Sequence, residues 1–255
     1  MRGPAALALL LLAAFAASMP VTADVPDVPK LLAAWHQDPA RIDRARTLLE
    51  ASAAATTAPE TLVELSYIWF LTGEFRARTD AERVAAYERG SDWARRAIAA
   101  APGNERAHFL LAINYGRLAE MKGVMRALAL VTKIREESET VLRLNPASVN
   151  GLILAAGLAA GLPAFMGGDR KKAEVLFKRA LELDPHQSGG RLELARLYIA
   201  TRRWHDAQHE LQGVVDDAAP TDFSRWTVSE RPSAQRLLNE LRERGQGIGG
   251  APQAP

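Results

Sequence analysis

The stretch Ala173-Glu174-Val175-Leu176-Phe177-Lys178-Arg179-Ala180-Leu181-Glu182-Leu183-Asp184-Pro185 decides how this chain of 255 residues folds. Ala173, Phe177 and Ala180 stand four and three apart, so they share one face of a helix. The small residues let a neighbouring helix come close, Phe177 fills the gap between layers, and Pro185 stops the helix because it has no N–H to donate. Thirty-four residues further on, Ala207-x3-Leu211-x2-Val214 repeats the spacing, with Pro220 one place late. Between the two lies Leu194-Ala195-x2-Tyr198, a second helical signature of large apolar, small, then aromatic residues. A unit of two helices, repeated every 34 residues, is the simplest reading.

That period and these positions are those of the tetratricopeptide (TPR) repeat. The same register places first helices at Leu65-Ser66-x2-Trp69 after Pro59, and at Leu111-Ala112-x2-Tyr115 after Ala97-x4-Pro102. Helix starts are marked by Asp38-Pro39, by the capping box Thr79-Asp80-Ala81-Glu82, and by Asn104 and Asp169. Breaks fall at Ala101-Pro102-Gly103, Asn145-Pro146, Asp184-Pro185 and Ala219-Pro220. No segment shows the sustained alternation of a strand. The period is not uniform: Pro102 to Pro146 is 44 residues and Pro146 to Pro185 is 39. The first excess falls near Met121–Leu130, and the second is expected to lengthen the helix before Gly167-Gly168. Ser229 is expected to cap a last helix with Pro232 in its first turn and Ala234, Leu237, Leu238 and Leu241 as its apolar stripe, covering the end of the array. The expected fold is all-α: a TPR-like solenoid of helical hairpins with inserted or lengthened helices and a C-terminal capping helix. It spans residues 24–244 as a single domain, with a disordered tail over 245–255. The competing reading is an irregular helical bundle.

Composition excludes other classes. The chain has no cysteine, 48% hydrophobic residues, 6% aromatics and a net charge of +2 from 32 basic and 30 acidic side chains. Disulfide scaffolds, thiolate metal sites and cysteine nucleophiles are ruled out, and the charge balance gives no bulk field for nucleic acid. Arg2 is the only charge before Asp24, Ala5 to Met19 is almost wholly apolar, and Val21-Thr22-Ala23 offers small residues at the −3 and −1 positions of a cleavage site. Residues 1–23 therefore read as a secretory signal peptide. An uncleaved anchor is the alternative, although the run is shorter than the roughly 20 residues that span a bilayer. No cysteine follows it, so the exported chain is expected to be free rather than lipid-anchored, with no membrane span after cleavage.

In a TPR array the first helices line a concave groove. The register puts Tyr67, Phe70, Phe109, Ile113, Leu158, Leu162, Phe165 and Met166 there, with Arg106, Arg117 and Arg196 interleaved. Such a groove suits a helix or an apolar small ligand with arginines at its edge; the Lys and Asn residues of a clamp for acidic C-terminal peptides are absent. In the alternative reading, inserted helices fill the groove and these residues are core. No catalytic, cofactor or metal site is expected. His205 and His209 stand four apart and could face one metal, but no third ligand accompanies them and a solvated face explains them better. His36, His108 and His186 are isolated, Glu136-Glu137 and Asp216-Asp217 read as solvated surface, and Arg170-Lys171-Lys172 reads as a solvated first turn opposing the helix dipole. Gly167-Gly168 reads as a tight turn, because no Gly-Lys-Ser/Thr follows it. Trp204 and Trp226 are expected to pack.

The order of features carries a resemblance. Trp69 is followed by Ala85-Ala86-Tyr87-Glu88-Arg89-Gly90, Trp93-Ala94-x2-Ala97 and Pro102, then by Tyr115-Gly116 and the long insertion. Leu162-Pro163-x3-Gly167-Gly168-Asp169, the 173–185 motif, Leu194-Ala195-x2-Tyr198, Trp226, Glu230 and Ala234-x2-Leu237-Leu238 come after it. From about Thr61 to Arg244 this resembles the T component of tripartite TRAP-type transporters, the TatT-like family. A eukaryotic TPR family, the regulators of microtubule dynamics, has a similar arrangement, and the secretory signal weighs against it. The TatT-like resemblance implies a non-catalytic periplasmic accessory protein that associates with the substrate-binding P component, with a groove suited to hydrophobic ligands. Members are often lipoproteins, and this chain lacks the cysteine for that. A general exported TPR scaffold for another envelope partner is the alternative, and the oligomeric state stays open.

Overall fold

The computed structural model describes residues 27–55, 58–121 and 124–245. The leader read over residues 1–23 and all but the first residue of the tail lie outside them. Among the described residues the elements are helices and turns, in the order α1 (Asp27–Ala33), α2 (Ala40–Ala55), α3 (Pro59–Phe75), α4 (Asp80–Ala100), α5 (Glu105–Met121), α6 (Val124–Leu144), α7 (Val149–Gly161), a 3-10 turn (Ala164–Met166), α8 (Arg170–Leu183), α9 (Ser188–Ala200) and α10 (Trp204–Val215). A last run joins α11 (Phe223–Arg225) through a π turn (Trp226–Glu230) to α12 (Arg231–Glu243). Consecutive helices pack as antiparallel hairpins: α3 with α4, α5 with α6, α7 with α8, and α9 with α10. The first helices α3, α5, α7 and α9 also touch in succession, and α12 lies against α10 at the end of the array. The chain is a TPR-like helical solenoid.

Local chemistry sets the boundaries. The Thr79 hydroxyl accepts from the Glu82 N–H at 3.2 Å, and the Glu82 carboxylate accepts from the Thr79 N–H at 3.2 Å and the Arg78 N–H at 2.6 Å. These backbone donors hold the Glu82 carboxyl below the usual carboxylate range. Thr79→Ala is expected to cost about 1 kcal/mol, read as a fall in the urea midpoint at unchanged slope. Asn104 accepts from the Ala107 N–H at the start of α5, Ser148 from the Gly151 N–H at α7, and Asp169 from the Lys171 and Lys172 N–H groups at α8.

The spacing of Ala173, Phe177 and Ala180 recurs as buried positions in the second helix of each of the four hairpins. Ala173, Phe177 and Ala180 of α8 are buried, as are Ala207, Leu211 and Val214 of α10. Counted back from Pro102 the same places hold Gly90, Ala94 and Ala97, and from Pro146 Ile134, Ser138 and Val141, all buried. In α6 the large residue has moved from the middle place to the first, so volume is conserved while order is not. Gly90 is where α4 meets α5: a Cβ there would sit 2.3 Å from the Asn114 Oδ1.

Two expectations need correction. The excess before Gly167-Gly168 does not lengthen α7, which ends at Gly161. Leu162 precedes proline and is extended at φ −86°, ψ 150°, and the added residues form the 3-10 turn. Ser229 is not the cap of the last helix. It lies inside the π turn, and the helical run starts six residues earlier, where the Asp222 side chain accepts from the Arg225 N–H. Pro232 does fall in the first turn of α12. Gly167 and Gly168 form the expected tight turn, with Gly167 at φ +90°.

Candidate partner-binding surface

The residues expected to line a groove fall into separate settings. Phe70 is core, buried with Leu65, Ile68 and Trp69 of α3. Tyr67 is half-buried, with the Arg106 guanidinium over its ring at 5.5 Å, and Arg106 is itself held by the Glu64 carboxylate. Phe109 and Ile113 of α5 are half-buried against the cluster of Leu62, Val63, Ala97, Ala107 and Leu110. One layer across, Arg117 bonds both Glu74 and Glu120, and the Tyr87 hydroxyl donates to Glu74 at 2.6 Å. Burial opposes the Arg117 charge, but the two carboxylates keep its pKa above the ordinary value. Burial, aided by Glu74, pushes the Tyr87 phenol up. Leu158 packs on the N-terminal core cluster, whereas Leu162 before the 3-10 turn and Met166 at its end are half-buried. Phe165 is 88% exposed at the tip of that turn. Arg196 is exposed and, among the described residues, is paired with Glu193 of its own helix.

The element that reaches the first layer is the C-terminal segment. The Ser224 hydroxyl lies 2.8 Å from His36 Nδ1 and donates to the Ala33 carbonyl at 3.1 Å, across 188 and 191 residues. Phe223 meets the His36 ring edge-on at 5.2 Å, and the Arg225 guanidinium stands over Phe70 at 5.9 Å. Burial pushes the Tyr67 phenol up, and the negative charge of Asp222 adds to it. The two ends of the solenoid therefore meet, and the array closes on itself. Spacing along the sequence carries no sign of this contact. His36 reads there as isolated because its partner is most of a chain length away.

Glu230 belongs to the same end. It is 6% exposed, its nearest cation is the Arg225 Nε at 3.7 Å, and a Cβ on Gly189 would come within 3.0 Å of its Oε1. Burial, reinforced by Asp222 and opposed by Arg225, pushes its pKa up to about 7. Unfolding returns it to an ordinary carboxyl near 4.3. Between those values the unfolded chain has released a proton that the folded chain keeps, so stability is highest below the lower value and falls as pH rises towards 7. Glu230→Gln should remove that fall and leave the variant up to about 3 kcal/mol more stable than the parent at pH 8. Urea unfolding at pH 4.5 and pH 8 measures it.

His108 and the two tryptophans have structural settings. His108 is buried, its Nδ1 2.6 Å from Glu137 of α6 and its Nε2 2.9 Å from the Pro102 carbonyl, and so it ties α6 to the α4–α5 turn. Trp226 is buried and donates from its Nε1 to the Val214 carbonyl at 2.7 Å, and Trp204 is half-buried in the C-terminal core cluster. His205 and His209 line a shallow depression with His186, whose Nδ1 lies 2.8 Å from Asp217. Among the described residues no group of three His, Cys, Asp or Glu side chains is placed to hold a metal, and no helix is long and apolar enough to cross a membrane.

A repeat-family match and a superposable known structure agree with this architecture. A tetratricopeptide-repeat family profile matches residues 164–226. A pentatricopeptide repeat-containing protein of Arabidopsis thaliana is 33% identical over 93 residues, which are 36% of this chain and 15% of that protein. The chain thus matches under a sixth of that relative's length. A thermophilic TPR protein of Thermus thermophilus superposes with a TM-score of 0.61 at 20% identity, covering 82% of this chain and all of that one. A tetratricopeptide repeat protein of Parabacteroides merdae is 14% identical with a TM-score of 0.42, covering 87% of this chain and 94% of that one. The fold defines a TPR-type scaffold suited to protein interaction.

Proposed function

We propose that the chain is an exported, periplasmic, non-catalytic accessory scaffold of a TRAP-type solute transporter, and that it holds the solute-binding protein on its first helices. The carrying observation is the α3–α5 face. There Tyr67, Phe109 and Ile113 stay half-exposed, and Arg106 and Arg117 are fixed by Glu64 and by Glu74 with Glu120. Cations already held in place cost little ordering when a partner arrives, and aromatics beside arginines are the residue types that anchor interfaces. An apolar small ligand would use the same side chains. The leader over residues 1–23 and the order of motifs from Thr61 to Arg244 support the transporter assignment.

The test is site-specific photo-crosslinking in cells that express the full chain. A benzoylphenylalanine at Ile113 should capture a solute-binding protein, and one at Gln235, exposed on α12, should not. Capture of an unrelated envelope protein at Ile113 would move the chain to the general scaffold reading.

A further inference from the structure

One edge of the molecule is unlike the rest of its surface. The Ala164–Met166 turn carries Phe165 with 88% of its surface in solvent, more than any other large hydrophobic residue described. Pro163 and Ala164 beside it are also exposed. Arg135 of α6 donates to the Met166 carbonyl and packs against Gly167, which fixes this turn to α6. Leu128 lies seven residues before Arg135, two turns away on the same face of α6, and is 40% exposed. Five residues after Phe165, α8 opens with Arg170, Lys171 and Lys172, all exposed.

The charges here are one-sided. No acidic residue occurs from Met121 to Arg135, and no charge of either sign from Gly151 to Gly168. Asp169 is engaged in capping α8, and Glu174 is engaged by Lys178 and Arg203. Among the described residues the side chains of Arg170, Lys171 and Lys172 form no ion pair, although elsewhere on this chain arginines regularly pair three residues along their helix. Three cations in a first turn also oppose the dipole of α8. An exposed aromatic at the tip of a turn is unfavourable in water, and three like charges in the first turn of a helix are mildly so through the helix dipole. Both are relieved on a surface that is apolar beneath and anionic above.

We propose that this edge docks the protein reversibly on an anionic lipid surface, with Phe165 entering the acyl boundary and Arg170, Lys171 and Lys172 meeting phosphate headgroups. Arg135 holds the turn at the angle that presents Phe165, and Leu128 extends the apolar contact along α6. A single inserted aromatic with a few cations gives weak, salt-sensitive binding, since each basic residue near an anionic bilayer contributes roughly a fivefold factor in affinity. The docking is independent of which protein the α3–α5 face holds.

The absence of cysteine allows a local reporter. The full chain bearing Phe165→Cys is labelled with an environment-sensitive nitrobenzoxadiazole dye and titrated with vesicles of phosphatidylcholine, or of phosphatidylcholine with about one third phosphatidylglycerol. The dye should shift to the blue and brighten with the anionic vesicles, less so with the neutral ones, and the change should reverse in high salt. Adding Lys171→Glu and Lys172→Glu, both on exposed positions, should move the midpoint to roughly thirtyfold more lipid with the helical circular dichroism unchanged. A label at Gln235→Cys on α12 should respond much less than the label at 165. The leader, common to all these chains, cannot produce that pattern. No spectral change at 165, an equal change at 235, or a midpoint untouched by the two glutamates would each overturn the proposal. Capture of an acidic protein segment by the lysines without a vesicle response would overturn it as well.

Discussion

Phe177→Ala should lower stability by about 4 kcal/mol and the melting temperature by roughly 10 °C. Phe177 is 1% exposed and sits between Ala173 and Ala180, both fully buried, so its ring is the largest of the buried side chains that α8 gives to the C-terminal core cluster. Alanine leaves a cavity that flanking helices cannot close, because the small residues on either side have already let them approach. In a solenoid each repeat is held mainly by its neighbours, and here the C-terminal run is also tied to Ala33 and His36. The loss should therefore appear first in α7 to α12, as a separate early phase in urea followed by circular dichroism. Phe177→Leu, which keeps most of the volume, should lose less than half as much. If Phe177→Ala unfolds at the same midpoint as the parent, the repeat reading of the 173–185 stretch fails.

Gly168→Ala should cost about 3 kcal/mol without touching any core side chain. A Cβ at this position would lie 1.8 Å from the Leu162 carbonyl oxygen and 3.0 Å from the Pro163 carbonyl carbon. Both belong to a backbone held by Pro163 and by the Gly168 N–H donating to the Pro163 carbonyl at 3.0 Å. No rotamer change relieves a clash with backbone, so the turn itself must open. Gly161→Ala, seven residues earlier and with open space around it, should change stability by less than about 0.5 kcal/mol. Thermal melts of the two variants make the comparison. Equal melting temperatures would mean that the turn is not fixed as described.

How much of this was legible depended on range. The second helices could be read because alanine, aromatic and proline fall at fixed local offsets, and α8 and α10 follow the rule closely. In α6 the places hold Ile134, Ser138 and Val141, a permuted set that only packing reveals. The end of α7 is hidden in the sequence because Gly151 to Met166 is uniformly apolar. Hydrophobic pattern alone cannot separate a longer helix from a turn there, although Pro163 does. The candidate surface was legible as residue types but not as one surface: Phe70 went to the core, Phe165 to an exposed tip, and Arg196 to a local ion pair. The closing contact of His36 with Ser224 follows from where the superhelix brings its ends. That is set by the sum of small rotations between repeats, which no local motif encodes.

The most direct test of the account is native mass spectrometry of the protein isolated from the envelope of the cell that makes it. The expected result is a chain that begins at Asp24 in complex with a solute-binding protein, and loss of that complex in the double variant Arg106→Glu, Ile113→Asp. A bare chain that still carries its first 23 residues, with no partner at any concentration, would contradict it.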